Sequence, residues 1–140
     1  MLLRSVNKRR AGTSVIVIVL TMLIWMWSRD PYEVVTSPDI LQEIYGCYYV
    51  NNVMVIKLNS NGSVAGNGWF MRYKIVSFKG ELKFFPERGL LVTSEAGGRV
   101  SVVESGGAGL YYEVRRGPVT EILLFADRVH MYWLHRGQCA

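Results

Sequence analysis

From Val15 to Trp27 the chain is apolar at every position except Thr21. The run has no polar face, so it predicts a helix that is apolar all round rather than one that lies on a core. After residue 46 the pattern changes to short apolar, β-branched and aromatic segments, broken by turn residues about every ten positions. "NSNG" at 59–62, "FKGE" at 78–81, "PERG" at 86–89, "EAGG" at 95–98, "SGGAG" at 105–109, "RGP" at 116–118 and "AD" at 126–127 are the breaks. Asn and Gly tolerate the positive φ that tight hairpin turns require. The strand segments between them include VMVIKL, SVAGNGW, WFMRYKIVSF, LKFF, RVSVVE, LYYEVR, TEILLF and VHMYWLH. In LYYEVR, Leu110, Tyr112 and Val114 share one face of a strand. About eight strands joined by short turns predict an all-β fold. An antiparallel meander of that size removes its edges by curling into a β-barrel or half-barrel. A two-sheet sandwich is the alternative.

Between these two regions, 28–36 reads as a linker and "SPDILQEIYG" as a brief helix. Ser37 is placed to cap it, Pro38 to start it, Asp39 to meet its positive end and Gly46 to stop it. The resulting division is a tail at 1–10, an anchor at 11–27, a linker at 28–36 and one β domain at 37–140, of a length that suits a single core.

With Ala11 to Ser14 included, the uncharged run is 17 residues long and spans about 26 Å as a helix, near the short limit for a bilayer core. It leaves through Trp25, Met26 and Trp27, with no small-residue cleavage pattern, and the tryptophans suit a headgroup interface. This predicts a retained, single-pass transmembrane helix. Arg4, Lys8, Arg9 and Arg10 precede it without an acid, whereas Arg29, Asp30 and Glu33 follow it. Cationic flanks stay inside, so the N-terminus is expected in the cytoplasm and the β domain outside it. Setting those four cations aside leaves twelve basic residues against eleven acidic ones. The high pI is therefore a topology signal, not a nucleic-acid footprint.

Cys47 and Cys139 are the two cysteines, at the start and end of the β region. In an exported domain they predict a disulfide that joins the first strand to the last, which requires a closed meander. Two buried free thiols are the alternative.

Candidate chemistry is sparse. His130 and His135 are five apart and fall on opposite faces of a strand, which argues against a shared metal. Ser105 lacks the first glycine of a nucleophile elbow, and "SGGAG" lacks the lysine of a phosphate loop. No enzyme, metal or cofactor is expected. Seventeen residues are aromatic, fifteen of them beyond the anchor. Core packing accounts for most, and the remainder mark an apolar cavity or an exposed patch for a partner. Tyr48, Trp69, Tyr112, Tyr132 and Trp133 are the candidate contacts. A short meander is also expected to leave a weak seam between "YGCYYV" and "VHMYWLH", open to strand addition.

Two resemblances bear on function. "YGCYY" followed by "VIKLNSNGSV" resembles the opening of a lipocalin-like barrel, with Tyr48 in place of a Trp and Arg136 at the place of an arginine after the last strand. The basic tail, the anchor ending in tryptophan, "SRDPYEVVTSPDILQ", "GLLVTSE" and "EILLFADRVHMYWLHRG" together resemble the ToxS-like periplasmic accessory proteins, including the VtrC and PsaF/MyfF types. That second resemblance implies a bacterial inner-membrane protein with a lipocalin-like periplasmic domain. It also implies a partner, a ToxR-like membrane-anchored transcription regulator, and a response to pH or to a small apolar ligand such as a bile salt or fatty acid. An independent membrane-anchored lipocalin-like carrier or inhibitor is the alternative.

Overall fold

The computed structural model describes residues 3–28, 31–127 and 129–140, with side chains from Gly12 onward. The tail cations Arg4, Lys8, Arg9 and Arg10, as side chains, and the pair Arg29 and Asp30 lie outside the described residues. The chain divides into a helix, α1 (Leu3–Ser28), and a compact β unit from Tyr32 onward. Among the described residues no helix is long and apolar enough to cross a membrane. The described side chains of α1 are apolar on every side, and its one hydroxyl in the apolar run, Thr21, bonds back to the carbonyls of Val17 and Ile18 at 2.8 and 2.9 Å.

The β unit opens with β1 (Glu33–Val34) and α2 (Pro38–Ile44), then β2 (Gly46–Val50), β3 (Val53–Leu58) and β4 (Ser63–Gly66). It continues with β5 (Trp69–Phe78), β6 (Glu81–Pro86), β7 (Arg88–Ser94) and β8 (Val100–Ala108). The last strands are β9 (Tyr112–Arg115), β10 (Glu121–Phe125) and β11 (Met131–Gly137). Eight of them form a closed antiparallel barrel in the order β2-β3-β4-β5-β6-β9-β10-β11, and β11 pairs back onto β2. This departs from a plain meander, because β6 passes directly to β9 and the β7–β8 hairpin stands outside the ring.

Local chemistry explains most boundaries. The turn between β5 and β6 is Lys79-Gly80, both at positive φ, which matches the right-handed twist of a hairpin. Gly62, at φ +82°, closes the β3–β4 turn with its N–H on the Asn59 carbonyl. SVAGNGW, expected as one strand, is broken by the turn Asn67-Gly68, since Gly68 takes φ +80°. Ser37 precedes α2 as expected, but its side chain makes no capping bond; its carbonyl accepts from the Leu41 N–H instead. Much of the expected linker lies on the barrel. Glu33 and Val34 pair with Ser77 and Val76 of β5, past the end of the shorter β4, and the Tyr32 ring stacks 4.0 Å from that of Tyr111.

Inward positions alternate along each strand and fill the barrel. Tyr48, Ile56, Leu58, Val64, Phe84, Tyr112, Ile122, Leu124 and Leu134 are fully buried. Burial of each aliphatic or Phe side chain of this kind contributes about 1.5–3 kcal/mol. α2 lies across one end, with Ile44 buried and Ile40 and Leu41 packed on the core.

The seam expected to be weak is paired. His135, Arg136 and Gly137 face Tyr49, Tyr48 and Cys47, and Cys47 is bonded to Cys139 with Cα atoms 5.3 Å apart. The bond ties the two ends of a 92-residue span across the seam. Closing a loop of that size contributes up to about 4–5 kcal/mol in the chain-entropy account. The double substitution Cys47→Ser, Cys139→Ser is therefore expected to lower unfolding free energy by about 2–5 kcal/mol. Chemical denaturation of oxidised protein and of the variant checks this, and equal midpoints would show that the bond constrains nothing.

Candidate functional site

The β7–β8 hairpin is the least conventional part of the fold, and two of the candidate aromatics, Trp69 and Tyr112, converge on it. It leaves the ring after β6 and returns at β9, crossing the barrel end opposite α2. Leu90, Val92, Val100 and Val102 point into the common core. Two aromatic side chains bolt it down. The Tyr112 hydroxyl donates to the Leu90 carbonyl at 3.0 Å and accepts from the Leu90 N–H at 2.7 Å. The Trp69 indole N–H donates to the Val102 carbonyl at 2.7 Å. Gly66 permits the second bolt, because a Cβ there would sit 2.3 Å from the Trp69 ring. At the stem, a Cβ on Gly109 would stand 1.9 Å from the Pro86 carbonyl oxygen, so the two crossings of the chain are backbone against backbone.

The other named aromatics are distributed unequally. Tyr48 is buried and donates to the Ile44 carbonyl at 2.5 Å, and its burial pushes its pKa well up, with Arg136 acting weakly the other way. Tyr132 is half-buried and packs on the core. Trp133 alone lies on the outer face, half-buried, with the Arg115 guanidinium over its ring at 4.1 Å. Tyr48, Trp69, Tyr112 and Tyr132 thus pack in or against the core, which their aromatic identity alone did not reveal.

Arg136, which the lipocalin-like resemblance placed after the last strand, lies within β11 and pairs with Tyr48. Its Nε donates to the Tyr45 carbonyl at 2.7 Å and a terminal nitrogen to the Gln42 carbonyl at 3.3 Å. These are the unpaired carbonyls at the end of α2, where a cation is favoured. Gly46, at φ +142°, leaves room, since a Cβ there would lie 3.0 Å from Nε. Thr120 adds a bond from Oγ1 to the Glu43 carbonyl at 3.0 Å, and Arg116 pairs with the Glu43 carboxylate at 3.2 Å. The arginine is a fastener for the helical cap.

Two polar clusters remain. At the tip between β10 and β11, the Asp127 carboxylate accepts the N–H groups of Val129 and His130 at 2.7 Å each and faces His130 Nδ1 at 2.8 Å. The backbone bond from His130 and the imidazole bond hold the Asp127 pKa down at about 2. On the outer wall, Glu121 lies 3.0 Å from His135 Nδ1 and 3.9 Å from Arg115. His130 and His135 belong to separate clusters, and among the described residues no group of His, Cys, Asp and Glu has a geometry suited to a metal. Neither cluster joins a nucleophile to a base in a cleft.

A cleft of about 400 Å³ opens beside the hairpin, between β3 and β8. Val53, Met54, Val55, Lys57, Arg99 and Val100 line it. β3 meets β4 only at Lys57 and Leu58, so Val53 to Ile56 have no strand on that edge. β8 pairs only with β7. The unpaired strand edges therefore sit at the rim of the barrel and not at its terminal seam. Compared with known proteins, the chain matches no family model, no curated protein and no solved structure.

Two outcomes follow from this geometry. Trp69→Phe removes the donor to Val102 and is expected to lower stability by about 1–2 kcal/mol. Hydrogen exchange should accelerate in 90–103 before the barrel strands, and uniform acceleration would show that the indole is not a local bolt. For Asp127 the folded pKa lies below the ordinary value of 3.8. Its stabilisation of the tip is complete above about pH 4 and is lost as pH falls towards 2. The amide resonances of Val129 and His130 should move over that window, and a transition centred near pH 4 would mean that the bonds do not favour the carboxylate.

Proposed function

We propose that the chain is a membrane-anchored accessory subunit whose exported barrel binds and stabilises a ToxR-like transmembrane transcription regulator. The observation that carries this reading is the filled interior. Core side chains occupy the barrel, α2 closes one end and the bolted hairpin crosses the other, so binding capacity lies on the outside. The Cys47–Cys139 bond fits an oxidising compartment such as the periplasm. The all-round apolar helix, flanked by basic residues on one side and tryptophans on the other, fits an inner-membrane anchor with a cytoplasmic N-terminus. The closed eight-stranded ring agrees with a lipocalin-like barrel, while the diversion of β7 and β8 and the place of Arg136 within β11 depart from that pattern.

On this reading, a stimulus sensed by the barrel is passed on through its contact with the regulator. A bile salt or fatty acid would reach the interior only if the hairpin lifted, and ligand and partner affinities would then be coupled. The filled interior favours the accessory reading over an independent carrier.

The test is made in cells with the full-length chain. A phosphatase fused after Ala140 should be active, which reports export. Deletion of the chain should shorten the half-life of a membrane-anchored regulator encoded beside it, and the two should co-purify in detergent. An inactive fusion sinks the topology. An unaffected regulator together with tight fatty-acid binding by the chain alone would leave the carrier.

A further inference from the structure

The cleft between β3 and β8 is chemically one-sided. Its lining includes Lys57 and Arg99 and no carboxylate. Neither cation is in an ion pair with another described residue. The Val102 carbonyl is turned away from β7, since it accepts from Trp69, whereas the Arg99 carbonyl serves the β7–β8 turn by accepting from Glu95. Backbone groups alternate along a strand, so Val100 turns its N–H and C=O the same way as Val102, into the cleft. Trp69 meets the need of one carbonyl; no strand meets that of its neighbour.

We propose that this cleft takes an extended segment of a partner protein in which acidic and apolar residues alternate. The segment adds to the β8 edge at Val100, sets its carboxylates against Lys57 and Arg99, and lays its apolar side chains on Val53, Met54 and Val55. The inference rests on the reading of the domain as a binding module and gives that module its docking position. Strand addition supplies backbone bonds to any sequence, and alternate side chains select among sequences. Selection here is by charge, because both walls contribute a cation and neither contributes an acid. The half-exposed Met54 offers an adaptable apolar contact.

The experiment uses the full-length chain in detergent and a blocked hexapeptide of alternating Glu and Val, with its Lys-Val counterpart as the control. Amide resonances of Val100 and Ser101 and of 53–57 should shift with the acidic peptide and not with the basic one. Affinity should fall as salt rises. Lys57→Glu with Arg99→Glu, both exposed, should weaken the acidic peptide by about tenfold and admit the basic one. Trp69→Phe, which frees the Val102 carbonyl, should lengthen the perturbed stretch through Val102. Absence of binding at millimolar peptide, equal binding of both peptides, or shifts confined to other strands would overturn the assignment. A regulator that still co-purifies with the charge-reversed chain would leave the accessory function standing and remove only this site.

Discussion

The domain depends on one pairing, that of β2 with β11. Without it the eight-stranded sheet would present two unpaired edges, and each inward side chain would lose part of its enclosure. The pairing is short, only three residues on each strand. It is reinforced from both directions: the Cys47–Cys139 bond ties the outer side, and Arg136 reaches from β11 over Gly46 to the carbonyls of α2. These contacts join elements that are distant in sequence, so closure, helical cap and disulfide form one cooperative unit. The Arg136 N–H also bonds the Thr120 carbonyl, which brings the start of β10 into the same unit.

Closure explains why the interior is filled. A ring of strands only four to ten residues long cannot enclose a large lumen and still bury enough apolar surface for stability. Tyr48, Tyr112 and Phe84 meet this limit from the walls, and Leu90, Val92, Val100 and Val102 meet it from the hairpin. Tyr112 does both, since its ring is core and its hydroxyl holds the hairpin. Such a plug is polar at its backbone, and the bolts are needed because buried or half-buried carbonyls without donors are costly. Trp69 and Gly66 are a matched pair in this respect: the donor needs the missing side chain to reach its acceptor.

Most of the fold was legible because its signals are local. Alternation gave the strands, Asn-Gly and Lys-Gly gave the turns, and the placement of two cysteines gave the closure. The diversion of β7 and β8 from the ring was not legible: β7 is not among the expected strand segments, and RVSVVE of β8 alternates like any half-buried strand. Two features recorded it indirectly. Gly109 is required where the chain crosses Pro86, and Gly89 where the Ser105 side chain sits, but in sequence both glycines read as ordinary turn residues. The turn inside SVAGNGW was hidden because Asn67 and Gly68 form it, whereas Gly66 beside them serves the Trp69 ring instead. Aromatic identity marked Tyr48, Trp69 and Tyr112 as important without separating a contact from a bolt, which depends on tertiary neighbours.

A closed barrel abolishes edges only if every strand lies in the ring. This chain places three strands, β1, β7 and β8, outside it and shortens β4, so unpaired backbone groups remain at the rim although the terminal seam is closed. β4 ends at Gly66 because Trp69 must fold back over it, and the same fold-back leaves Val53 to Ile56 of β3 without a neighbour. The hairpin that fills the core thus creates the cleft beside it. Packing and recognition arise here from one diversion of the chain, and the cations at Lys57 and Arg99 protect the exposed edges, since charge at an open edge discourages self-pairing. A segment of opposite charge reverses that protection, because it brings the carboxylates that the cleft lacks.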